Sequence, residues 1–290
     1  MSAMFIENVL FKRCLVRSLC TFGRKASRLV NREKITERAF LNKVSQNSHN
    51  IISTGINITL AVLFTGIMSA LPKKNGHHQK FTICVEGNIA SGKTSFLEYF
   101  KDTHDVEVIE EPVNKWRNVQ GGNILAKMYE DPTRWSLTLQ TYVQLTMLQN
   151  HVKSQEKPIK LMERSIYSAK YCFVENLHNS GKMPDLEFAV LSEWFDWILD
   201  FHKCPLDLIV YLQTTPEIVY DRIKKRQRKE EQTIPIEYLQ TLHNLHEDWL
   251  IHQRKFPVPC KVLTLDANYE LDYMHKVFEE NRKKIMCDSG

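Results

Sequence analysis

Five short, continuously apolar runs punctuate the chain: Phe81–Glu86, Val106–Glu110, Ile159–Glu163, Leu206–Gln213 and Lys261–Asp266. Longer amphipathic stretches lie between the later ones, at Thr133–Lys153, Leu186–His202, Pro216–Arg228 and Pro235–Ile251. Short runs without polar alternation read as strands buried on both faces, as in parallel sheets, and the amphipathic stretches read as helices covering them. Their alternation predicts one α/β domain, a five-stranded parallel sheet with helices on both faces, filling nearly all of residues 79–285. Ligands of such sheets collect at the carboxyl ends of the strands. Three predicted ends carry chemistry: Glu86-Gly87, Glu110-Glu111-Pro112 and Glu163-Arg164-Ser165.

The first of these ends opens Gly87-Asn88-Ile89-Ala90-Ser91-Gly92-Lys93-Thr94, which fits G-x-x-x-x-G-K-[ST]. In that loop backbone N–H groups cradle phosphates, the lysine reaches the β- and γ-phosphates, and the hydroxyl ligates Mg²⁺. A chance glycine turn would lack the strand before it and the helical pattern that starts at Ser95. Thr94 and Glu163, an acid closing its own apolar strand, are the candidate Mg²⁺ residues. Glu111 is the candidate group for accepting a hydroxyl proton, with an ordinary solvated turn as the plainer reading. Arg164 is either a structural partner for these carboxylates or a charge aimed at reacting oxygens. Arg222, Arg226 and Arg228 belong to a run of six basic residues in eight positions, either a solvated helix end or an Arg-rich lid over phosphates. Trp116, Tyr129, Gln140 and Phe173 could wall an acceptor pocket, although any of these aromatics could equally be plain core.

With those residues in place, the chain resembles the deoxynucleoside kinases, above all the mitochondrial thymidine kinases and the insect multisubstrate enzymes. The likeness runs from about Phe81 to Asp266, through Gly87–Thr94, Glu111–Val119, Leu139–Leu148, Met162–Ser165, Tyr171–Leu177 and Leu245–Ile251. The resemblance implies a P-loop kinase fold with an Arg-rich lid, and transfer of the ATP γ-phosphate, with Mg²⁺, to a deoxyribonucleoside 5′-hydroxyl. It implies that Glu111 is the general base, with Arg164 near the 5′-oxygen and Lys93 on the phosphates. Gln140 would pair with the base edge, Trp116 and Phe173 would pack on the ring, and Tyr129 and Glu231 would contact the 3′-hydroxyl. Arg222, Arg226 and Arg228 fall on the lid arginines. Val143, Met147 and Ala169 match pyrimidine-accepting members, so thymidine and deoxycytidine are the expected substrates. A homodimer through long helices is a further implication. Gln213 departs from the pattern, standing where relatives often carry arginine, and puts any phosphate contact there in doubt. Two other readings remain open: a non-catalytic respiratory-complex accessory subunit on the same scaffold, and a P-loop kinase for a different small metabolite.

Charge divides the chain. Residues 1–80 hold 13 Lys/Arg and 3 Asp/Glu, so the remainder is mildly acidic although the whole carries +5. A nucleic-acid surface would need clustered positive charge on the domain itself, and none is expected. Residues 1–78 therefore read as a basic extension and linker, and the domain as 79–290. Arg and Ser enrichment with few acids resembles a mitochondrial transit peptide, which predicts the matrix, with cytosol or nucleus as the alternative. Residues 51–72 carry no charge and are long enough for a membrane anchor, but six Ser, Thr and Asn residues and two glycines dilute them. Seven scattered cysteines form no close pair and no metal-ligand spacing, as suits free thiols and no structural metal.

Overall fold

The apolar runs become strands β1 (Phe81–Glu86), β2 (Val106–Ile109), β3 (Ile159–Glu163), β4 (Leu208–Gln213) and β5 (Lys261–Asp266). They form a single parallel sheet in the order β2-β3-β1-β4-β5, in a computed structural model that describes residues 80–202 and 204–286. The basic extension of residues 1–78, with its expected transit segment and membrane anchor, lies outside the described residues. Among the described residues no helix is long and apolar enough to cross a membrane.

The helices are α1 (Lys93–Phe100), α2 (Val113–Arg117), α3 (Ile124–Glu130), α4 (Pro132–Val152), α5 (Ile166–Ser168), α6 (Glu175–Asn179), α7 (Asp185–His202), α8 (Pro216–Arg226), α9 (Ile236–His246), α10 (Leu271–Glu280) and α11 (Arg282–Ile285). Alternate residues of β1 serve the two faces. Ile83 and Val85 join Phe96, Leu97 and Phe100 of α1 and Phe278 of α10. Cys84 joins a larger cluster with Leu139 and Met147 of α4, Leu191 of α7 and Leu239 of α9. Burying side chains on both faces is what makes the central strands continuously apolar. Cys84, Cys172 and Cys204 are buried free thiols.

Several element ends differ from the sequence reading. β5 borders the sheet, and its Lys261, Thr264 and Asp266 are exposed, so it is not covered on both faces. The stretch read as Pro216–Arg228 stops at Arg226, because Gln227 adopts the left-handed conformation at φ 53° and the chain turns through Lys229–Glu231. The stretch read as ending at Ile251 is helical to His246 and then widens into a π-type turn, Glu247–Ile251. A second wide turn, Ala169–Val174, joins α5 to α6. That region carries no amphipathic signal because it is buried nearly all round, which erases the 3.6-residue period. With β1 central and β3 and β4 beside it, the register pairs Val85 with Glu163 and Glu86 with Tyr211. The acidic strand ends thus fall side by side.

Candidate active site

Gly87 leaves β1 at φ 147°, and a Cβ there would lie 2.6 Å from Ser91 Oγ and 2.7 Å from Leu212 O. Only glycine fits that approach and that backbone angle. The loop ends at Gly92, left-handed at φ 99°, which hands the chain to α1. Lys93 is buried, and its Nζ donates to Asn88 O across the loop at 2.6 Å. Desolvation, and then the nearby Arg164 charge, lower its pKa to about 7. Thr94 Oγ1 donates to Glu163 Oε1 at 3.0 Å, so the two candidate Mg²⁺ residues meet directly. Among the described residues no cluster of three or more His, Cys, Asp or Glu could hold a metal by itself. A hydroxyl and one carboxylate beside a phosphate loop fit Mg²⁺, which takes few protein ligands and completes its shell with phosphates and water.

Arg164 turns sharply out of β3 at φ 61° while its N–H remains bound to Val85 O at 2.9 Å. Its side chain is 5% exposed, with Nε 3.2 Å from Glu111 Oε1 and Nη1 3.9 Å from Glu86 Oε2. The guanidinium lies over the Phe173 ring, 4.7 Å from its centroid. Glu86 is wholly buried and accepts from Ser165 Oγ at 2.6 Å. Burial raises the pKa of both Glu86 and Glu111, against the lowering effect of Arg164. One arginine at the end of β3 thus sits between carboxylates from the ends of β1 and β2.

A cavity of ≈ 460 Å³ runs past this cluster. It is lined by Ile89–Thr94, Glu111, Trp116, Tyr129, Gln140, Val143, Met147, Glu163, Arg164, Ala169, Phe173, Arg222, Arg226, Arg228 and Glu231. Of the sequence candidates, Gly87 and Asn88 are not in the lining. Gly87 packs behind the loop, and Asn88 Nδ2 is tied to Leu239 O. Trp116 is fixed by its Nε1 donating to Thr146 Oγ1 at 2.9 Å. Gln140 is buried, and its Oε1 meets no protein partner.

On the opposite wall, Arg226 Nε donates to Glu231 Oε2 at 2.8 Å and Arg228 Nη1 lies 3.4 Å from Glu231 Oε1. Arg222 Nη2 donates to Tyr269 O at 2.6 Å. Gln213 donates to both oxygens of Glu247 at 2.9 Å, alongside Tyr211 Oη at 2.7 Å, so it serves an internal network. Sequence reasoning missed Glu86 as a partner of Arg164, the bond from Ser165 to Glu86, and Tyr238, Tyr269, Glu270 and Leu271 as lining. Glu86 and Ser165 stood in plain view at two strand ends. The lining residues are marked by no motif.

A phosphate loop at the end of the central strand, with a pocket reaching past the end of its neighbour, defines a nucleotide-dependent phosphotransferase. The sequence narrows the class further. This chain belongs to the deoxynucleoside kinase family, whose sequence model matches residues 83–288. It is 56% identical over 214 residues to Homo sapiens thymidine kinase 2, mitochondrial, covering 74% of this chain and 81% of that protein. It is 39% identical over 234 residues to Homo sapiens deoxycytidine kinase, covering 70% and 90%. Deoxycytidine kinase 1 of Xenopus laevis is 36% identical over 232 residues, covering 70% and 85%. Kinases of this family take ATP as phosphate donor and deoxynucleosides as acceptors.

Proposed function

We propose that residues 79–290 form a kinase domain that transfers the ATP γ-phosphate to the 5′-hydroxyl of thymidine and deoxycytidine. The observation that carries this reading is the Glu111–Arg164 pair, 3.2 Å apart, at the junction between the ring-walled pocket and the phosphate loop. Glu111 takes the hydroxyl proton as the oxygen attacks phosphorus. Burial raises its pKa, which makes it a stronger base than a solvated carboxylate. Arg164 orients Glu111 and faces the 5′-oxygen, and Lys93 with Arg222, Arg226 and Arg228 balances charge on the migrating group. Gly87–Thr94 wrap the phosphates. Thr94 and Glu163 would hold Mg²⁺, which supplies charge neutralisation when bound.

Gln140, with its unpartnered oxygen, reads the base edge, and Trp116 and Phe173 enclose the ring. Tyr129 and Glu231 take the 3′-hydroxyl. The uncharged Val143, Met147 and Ala169 leave room for a pyrimidine. The exposed Leu186, Val190, Trp194, Trp197 and Phe201 on α7 suit burial against a second copy of this chain, as a homodimer. The Arg-rich extension supports delivery to the mitochondrial matrix, which a fluorescent fusion of residues 1–78 would test. The main reading is tested by supplying the full chain with Mg-ATP and each of the four natural deoxynucleosides. Pyrimidine monophosphates are expected, and turnover of none of the four would overturn it.

A further inference from the structure

Arg117 ends α2, one residue beyond Trp116 of the ring pocket. Its Nε donates to Glu230 Oε1 at 2.6 Å, and its Nη2 contacts the same oxygen. The pair is largely withdrawn from water, with the two side chains 30% and 12% exposed. Burial pushes the Glu230 pKa up, but its own backbone N–H and Arg117 hold it below its ordinary value. The next residue, Glu231, lines the cavity and is gripped by Arg226 and Arg228. Both glutamates sit in the short turn Lys229–Glu231, against which α3, the helix carrying Tyr129, also packs.

We propose that Arg117 is a positioning residue for recognition of the sugar: by pinning Glu230 it keeps the neighbouring Glu231 at the 3′-hydroxyl. The inference rests on the nucleoside-kinase reading given above. Among the described residues the Glu231 carboxylate is otherwise held by Arg226 and Arg228, whose proposed work is on ATP phosphates. When those arginines turn to phosphate, the Glu231 carboxylate loses both of these contacts. The Arg117–Glu230 pair supplies an anchor that does not depend on ATP, because Arg117 belongs to the segment that follows Glu111 and Pro112.

The test compares kcat/KM for thymidine and 3′-deoxythymidine in the wild-type chain and in the Arg117→Gln and Glu230→Gln variants, with thermal melting followed in parallel. The wild-type enzyme should prefer thymidine. Each variant should lose about tenfold of that preference, the worth of one well-placed hydrogen bond, through a higher KM for thymidine and little change for the analogue. The two variants remove opposite ends of the pair, so one that fails to fold leaves the other to decide. An unchanged ratio in a folded variant, or equal losses on both substrates, would overturn the inference while the kinase reading stands. A wild-type chain inactive on thymidine would overturn both.

Discussion

Arg164 and Arg226 both face the cavity with a glutamate partner, yet they are held in different ways. Arg164 is 5% exposed, leaves the strand with a left-handed backbone, and has Glu111 and Glu86 on either side and Phe173 beneath. Arg226 is 30% exposed, closes α8, and is held by Glu231 five residues along the same segment. The sheet therefore fixes the first charge before any substrate arrives, as preorganised catalysis requires. The second is satisfied by a neighbour that it can exchange for phosphate oxygens. A wall of fixed charge faces a wall of exchangeable charge, and the reaction proposed here needs both.

Substitutions should separate the two walls. The largest effect is expected at Glu111→Gln, with kcat lower by about 10² or more if the carboxylate is the general base. In the wild-type enzyme kcat/KM should fall as pH drops and Glu111 gains a proton. Because burial raises its pKa, that fall should begin above the ordinary carboxylate value of 4.5. Steady-state kinetics across pH checks both, and undiminished turnover in the variant would remove Glu111 from the role.

Next comes stability, through two buried histidines: His151 near the end of α4, whose Nε2 lies 3.1 Å from Ile166 N, and His246 at the end of α9. Burial lowers the pKa of His246 to about 3 and that of His151 to about 4, from 6.5. Between those values and 6.5 the unfolded chain binds more protons than the folded one, so stability is complete above 6.5 and declines as pH falls. At pH 5 the loss should be about 2 kcal/mol for each histidine, visible as a lower urea midpoint than at pH 7. An unchanged midpoint would show that these histidines are hydrated in solution.

On the exchangeable wall, Arg226→Gln should raise the KM for ATP about tenfold, in the range of one charge-assisted hydrogen bond. Its effect on the KM for thymidine should be smaller. Arg228→Gln, at a side chain 40% exposed, should cost only about two- to threefold, in keeping with the weakness of exposed ion pairs. Equal losses at Arg226 and Glu111 would erase the distinction between the walls.

The sequence disclosed the fixed wall better than its surroundings. Continuous apolar runs marked all five strands, and the spacing of Gly87, Gly92, Lys93 and Thr94 marked the loop. Glu111, Glu163 and Arg164 were visible because each follows or closes such a run. What escaped depends on partners remote in the chain. The register that sets Glu86 beside Ser165, 79 positions away, is a property of strand order and leaves no local pattern. Tyr238, Tyr269 and Leu271 enter the cavity from α9 and from the start of α10, where nothing nearby announces a ligand. Gln213 was noticed as an oddity, and its bond to Glu247 gives it an occupation that the strand pattern could not supply.

The backward bend at Arg164 has a consequence for anyone redesigning this molecule. A straight strand offers its side chains only two directions, but here three successive codons address three clients. Glu163 meets Thr94, Arg164 meets Glu111, and Ser165 meets Glu86. Deleting or inserting a single amino acid at that corner would misdirect all three deliveries at once.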